Sequence, residues 1–207
     1  GISDRVALQL ELRDLYVPLR ARGELPRRDS WEPSLEVAGR AAPAEFYSKP
    51  VPLSDLFERN SGLIVLGDPG SGKTTFLKHL TLKLVEEFET GKRLPVLIPL
   101  SGYANELKKG DVRLDDFIDL YFRSRHLDFP VSALLNGALE QGSACVMLDG
   151  LDEVREIGLR ETVVQRVIDF YNVYRGEGNR FVMTSRIVGY REVRPVAQGL
   201  AECTLVD

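Results

Sequence analysis

Five short apolar runs recur along the chain, at residues 63–66, 95–100, 144–148, 180–184 and 202–206, with polar or amphipathic sequence between them. The first and third are apolar throughout rather than alternating, which predicts strands buried on both faces. Between the first two runs, Phe76, Leu80, Leu84 and Phe88 recur every four residues while Lys78, Lys83 and Glu87 take other directions, predicting a helix over 73–88 that Gly91 stops. Leu114, Phe117, Ile118, Tyr121 and Phe122 predict a second helix, and residues 131–141 a third, ended by Gly142. Val163, Val164, Val167, Ile168, Tyr171 and Tyr174 mark a fourth. Helices alternating with short buried strands predict an α/β fold, a parallel sheet covered on both faces.

The first quarter of the chain is patterned differently. Residues 3–16 are expected to be helical, with Ser3 or Asp4 as N-cap and Val6, Leu10 and Leu12 apolar. Leu15-Tyr16-Val17-Pro18-Leu19 is expected to be extended, with Pro18 marking an edge or a strand end. Residues 20–52 carry Pro26, Pro33, Pro43, Pro50 and Pro52 among charges, and predict a long loop pinned by Trp31 and Phe46-Tyr47. Ser54 then caps a short helix to about Glu58. The expected division is therefore a lead-in segment, 1–53, and a core domain, 54–207.

The first apolar run leads into Gly67-Asp68-Pro69-Gly70-Ser71-Gly72-Lys73-Thr74-Thr75, which is G-x-x-x-x-G-K-T between a strand and a helix. Glycines at 67, 70 and 72 let the backbone approach an anion with no Cβ in the way. The amides of 70–74 would face phosphate oxygens, helped by the positive end of the helix they open. In such a loop Lys73 reaches the β- and γ-phosphates and the Thr74 hydroxyl holds Mg²⁺. The third run ends in Asp149-Gly150-Leu151-Asp152-Glu153. An aspartate there falls on the same sheet edge as the phosphate loop and is expected to hold Mg²⁺, through a water. Glu153 is the expected base for an attacking water, with Asp152 as its partner or substitute; one of the two would otherwise cap the next helix. Arg186, just past the fourth run, would sense the γ-phosphate or stabilise transition-state charge, unless it is a surface arginine paired with a carboxylate.

Composition narrows the field. The chain has 207 residues, 43% hydrophobic and 28% charged, with a net charge of −4, so it carries no basic excess of the kind nucleic acid or an acidic membrane would attract. No apolar run approaches membrane-spanning length and no signal peptide is evident. Cys145 and Cys203 sit among apolar neighbours and read as core residues of a reducing, cytoplasmic compartment. His79 and His126 lack partners at metal-ligand spacing and are read as structural. The chain begins at Gly1, as an excised segment would.

Three stretches together, Gly67 to Thr75, Val146-Met147-Leu148-Asp149-Gly150-Leu151-Asp152-Glu153-Val154, and Met183-Thr184-Ser185-Arg186, resemble the NACHT family of STAND P-loop NTPases, especially its bacterial members. The small Gly150 after the metal aspartate, with acids at 152 and 153, separates this pattern from most other P-loop families. Leu15 to Leu19 and Val51-Pro52-Leu53 are similar to the segment bacterial members carry before the P-loop, so the resemblance covers residues 15–207. It implies a three-layer α/β/α sandwich with a parallel five-stranded sheet of order 5-1-4-3-2, the additional-strand conserved-glutamate type. It further implies ATP, exchanged for ADP and slowly hydrolysed with Mg²⁺, in a switch that controls oligomerisation in response to a trigger ligand, with outputs in antiphage defence or programmed death. Family members continue into helical and winged-helix subdomains that have no counterpart within 1–207, so the closed ADP-bound state is expected to need them. Val51 and Leu53 are the expected contacts for adenine.

Other readings start from the same residues. A small-molecule kinase would use Arg186, Arg191 and Arg194 as a cationic lid; a scaffold would bind nucleotide without turnover. A GTPase is disfavoured by the absence of N-K-x-D, and a DNA-loading ATPase by the acidic balance.

Overall fold

The computed structural model describes residues 16–23, 49–88, 93–125, 130–176 and 178–206. The helix expected over 3–16 (all but Tyr16), Trp31, Phe46-Tyr47, Gly91 and His126 lie outside the described residues. The five apolar runs form β3 (Gly62–Leu66), β4 (Leu94–Pro99), β5 (Ala144–Asp149), β6 (Arg180–Ser185) and β7 (Leu200–Val206), and all are mutually parallel where they pair. The sheet is larger than the five strands expected and its order runs β2-β1-β7-β3-β6-β5-β4. The two further strands are β1 (Arg20–Gly23) and β2 (Val51–Pro52), placed by sequence reading in a loop. β1 lies antiparallel to β7, from Arg20 opposite Val206 to Gly23 opposite Cys203, and β2 closes onto β1. Its sequence, Arg-Ala-Arg-Gly, has little strand propensity of its own; pairing with β7 and burial of Ala21 decide it.

Strand side chains alternate between two cores. Leu63, Val65, Cys145, Met147, Val182 and Cys203 face one side, where α1 (Leu53–Arg59) and α2 (Lys73–Phe88) supply Leu56, Phe57, Phe76, Leu77, Leu80 and Leu84. Ile64, Leu66, Val146, Leu148, Phe181 and Met183 face the other. That side is covered by α3 (Leu100–Leu107), α4 (Leu114–Arg123), α5 (Val131–Glu140) and α6 (Ile157–Tyr174), with α7 (Ile187–Glu192) near its rim. The wholly apolar strand pattern thus reflects two buried faces, each such side chain contributing about 1.5–3 kcal/mol of transfer free energy. Both cysteines are buried and unpaired.

Three local expectations are corrected. The first short helix starts at Leu53, not after Ser54: Pro52 occupies the N-cap position and no side chain caps it. Leu100 ends no strand but begins α3, directly after Pro99. Residues 16–19 are not regular strand; the extended pairing begins at Arg20. Among the described residues no helix is long and apolar enough to cross a membrane.

Candidate functional site

The carboxyl ends of β3, β4, β5 and β6 meet along one edge, and each delivers part of a polar cluster. β3 runs into the loop 67–72. Gly70 and Gly72 there have φ of 80° and 88°, a region only glycine enters freely. A Cβ on Gly67 would lie 2.6 Å from the Ser71 hydroxyl, which would have to turn away. The Lys73 ammonium is folded back onto its own loop, donating to the carbonyls of Gly67 at 2.7 Å and Asp68 at 2.9 Å and to Ser71 Oγ at 3.2 Å. Burial pushes its pKa below the ordinary lysine value; the Asp152 carboxylate opposes that shift and Arg186 reinforces it. Asp68, Pro69 and Gly70 are exposed, as are the side chains of Thr74 and Thr75.

β5 delivers Asp149. Its Oδ2 accepts a 2.8 Å hydrogen bond from Thr74 Oγ1 in the first turn of α2, and its Oδ1 accepts from Thr184 Oγ1 at the end of β6. Thr184 is wholly buried, and its hydroxyl oxygen in turn accepts from the Gly150 amide at 2.9 Å. The two residues expected to share a metal ion are therefore adjacent and aligned. Among the described residues no group of three or more His, Cys, Asp or Glu side chains converges. One hydroxyl and one carboxylate fit Mg²⁺, which keeps several waters and takes further oxygens from phosphates, and would not fit a protein-caged metal.

Beyond Asp149 the chain turns sharply. Gly150 has φ 75°, and a Cβ there would stand 2.9 Å from Glu153 Cδ, so the glycine both permits the turn and makes room for the glutamate. Leu151–Glu153 form one turn of 3₁₀ helix. Glu153 Oε2 accepts from Ser101 Oγ of α3 at 3.0 Å. Asp152 is engaged elsewhere: its Oδ1 accepts from the Arg186 amide at 3.0 Å and its Oδ2 pairs with Arg186 Nε at 2.9 Å. Neither acid caps α6, which starts beyond Glu156.

The residues expected in the glycine-rich loop, at the metal, as base and as γ-phosphate sensor share this edge, and Arg186 takes the carboxylate-paired alternative stated for it. Arg186 is bonded to Asp152, and Asp152 is Arg186's partner more than Glu153's. Arg194 forms a two-bond ion pair with Glu202 of β7, at 2.9 and 2.8 Å, which takes it out of any cationic lid. Leu53 is 1% exposed inside the core and is closed to a ligand; Val51 is half-buried.

Four contributors escaped the sequence reading. Thr184 stands in the Met183-to-Arg186 stretch with no role of its own expected, and Ser101 follows the second apolar run outside any expected element. Arg160 of α6 is buried and donates to the carbonyls of Val154 and Gly189, at 2.8 and 3.3 Å, and pairs with Glu192, tying the acidic turn to α7. The lead-in also reaches the loop: Leu19 Cδ1 lies 3.3 Å from where a Gly72 Cβ would be, and the Tyr16 ring stacks on His79 at 3.7 Å. Compared with models of protein families and with curated proteins, the chain matches none.

Proposed function

We propose that the chain is the nucleotide-binding core of an ATP-dependent switch of the NACHT and STAND kind, which binds ATP or ADP with Mg²⁺ and hydrolyses ATP slowly to control self-association, in the setting of antiphage defence. The observation that carries this reading is the 2.8 Å bond from Thr74 Oγ1 to Asp149 Oδ2, which joins the phosphate-loop helix to the acidic strand end beside Lys73. Supporting it is the order of the parallel strands: numbered from β3, they read 5-1-4-3-2, with β1 and β2 added outside.

In this reading the amides of 70–74 surround the phosphates and Lys73 exchanges the carbonyls of Gly67 and Asp68 for phosphate oxygens. Thr74 and, through a water, Asp149 would hold Mg²⁺, which when bound would neutralise phosphate charge. Glu153, released from or retained by Ser101, takes the proton of the attacking water at a carboxylate oxygen. Thr184 fixes the Asp149 carboxylate that faces Thr74.

Calorimetric titration of the chain with Mg²⁺–ATP, ADP and GTP, beside Lys73→Ala, tests it. Saturable binding of adenine nucleotides, weakened about 100-fold in Lys73→Ala and weaker for GTP, is expected. Equal binding of GTP, or an unaffected Lys73→Ala, overturns it. Phosphate passed to an acceptor without release of free phosphate favours the kinase instead.

A further inference from the structure

Asp152 and Arg186 close on each other across the mouth of the site, and three contacts hold that closure in place. The Arg186 amide and guanidinium bond the two oxygens of one carboxylate. Gly189, one turn into α7, packs so tightly on Asp152 that a Cβ there would come within 3.0 Å of Asp152 Cβ. Arg160 reaches both sides at once, bonding Val154 O next to the acidic turn and Gly189 O and Glu192 on α7. Asp152 is therefore fixed by the fold, with its side chain 13% exposed, whereas Arg186 is anchored at its backbone and has a side chain 55% exposed. The fixed partner is the acid; the movable one is the guanidinium. β3 and β6 run parallel with Leu66 opposite Ser185, so Arg186 leaves its strand level with Gly67, where the loop that ends in Lys73 begins.

We propose that Asp152 sets how strongly the site prefers a nucleoside triphosphate over a diphosphate, by competing with the terminal phosphate for Arg186. Without a γ-phosphate, Arg186 stays on Asp152. With one, the guanidinium leaves Asp152 for the phosphate, and the carboxylate keeps only the Arg186 amide. Asp152 thus lowers the preference for triphosphate, and it is a specificity-determining residue rather than a second base. The backbone anchor makes the exchange short: the side chain swings while residue 186 stays in place. This rests on the nucleotide-binding reading above.

The test is a double-mutant cycle on Kd for Mg²⁺–ATP and Mg²⁺–ADP, using the wild-type chain, Asp152→Asn, Arg186→Ala and the pair. Asn keeps an oxygen for the Arg186 amide and removes the charge. Removing the charge also favours the more highly charged triphosphate directly, and that part persists without Arg186, so the cycle subtracts it. The expected result is an ATP-over-ADP ratio raised about threefold in Asp152→Asn, the scale of a half-exposed ion pair. Arg186→Ala lowers the ratio, and Asp152→Asn added to Arg186→Ala raises it by less than Asp152→Asn does alone. A ratio unchanged in Asp152→Asn, or raised equally with and without Arg186, overturns the inference while nucleotide binding stands. No nucleotide binding by the wild-type chain overturns both.

Discussion

Lys73 finds its partners in Gly67, Asp68 and Ser71, none more than six residues away, while Asp149 finds its own in Thr74 and Thr184, 75 and 35 residues distant. The same contrast extends to Glu153 and Ser101, 52 residues apart, and to Arg160, whose bonds span the acidic turn and α7. The glycine-rich loop is shaped mainly by its own sequence, glycines at the required dihedral angles and a lysine that caps the loop's carbonyls, with Leu19 and the Ser185 carbonyl as contacts from elsewhere. The acidic turn is shaped by the packing of α3, α6, β6 and α7 around it. Local geometry tolerates change elsewhere in the protein; a turn held from four elements registers a change in any of them. The loop is the constant part of the site and the acidic turn the part through which the rest of the fold can act on it.

The largest expected separation between the two regions comes from Thr184→Val set against Ser71→Ala. Valine fills the buried space but orphans the Gly150 amide and removes a bond to the Asp149 carboxylate, which costs about 2–3 kcal/mol. Ser71→Ala changes stability by under about 0.5 kcal/mol. Urea denaturation midpoints read both, and equal losses would break the comparison.

Two glycines sharpen it next. Gly70 and Gly150 have similar positive φ, 80° and 75°, but nothing lies within 4 Å of a Cβ at Gly70, whereas Glu153 obstructs one at Gly150. Gly70→Ala should cost only the backbone strain, about 1 kcal/mol, and Gly150→Ala about 2 kcal/mol because Glu153 must also move. Thermal unfolding of the two variants side by side decides whether the contact adds to the strain.

The smallest effect concerns His79, stacked under Tyr16 on the helix that the loop opens. Burial lowers its pKa, Lys83 adds to this, and Glu86 opposes it. The unfolded chain therefore takes up the proton first as pH falls through about 6.5, so stability declines between there and the depressed folded value. His79→Gln should flatten that limb of the stability–pH curve; an unchanged slope would assign it to other groups.

The phosphate loop, Asp149 and the five parallel strands were legible in the sequence because each is written locally, in a continuous motif or an unbroken apolar run. Ser101 and Thr184 were not, since a hydroxyl at a strand end looks the same whether it meets solvent or a carboxylate from another strand. β1 was read as loop because it opens a stretch of five prolines among charges and small residues; its identity lies in the pairing with β7. α3 and α7 escaped for a different reason: at eight and six residues they are too short to show a periodic face. The Arg186–Asp152 pair stood among the alternatives for Arg186, but sequence could not say which carboxylate would be close.

One consequence follows from the proline positions in β4, the terminal strand opposite β2. Amides along a strand point alternately to either side, and Leu94 N donates inward, to Ser143 O. The amides of Val96 and Ile98 share that direction, so positions 95, 97 and 99 face away from β5, on the side unpaired among the described residues, and two of these are prolines with no hydrogen to offer. Leu97 is left as the one outward donor of the strand, so the margin is a poor template for another chain. One flank of the sheet is thus chemically blunted against unplanned strand addition.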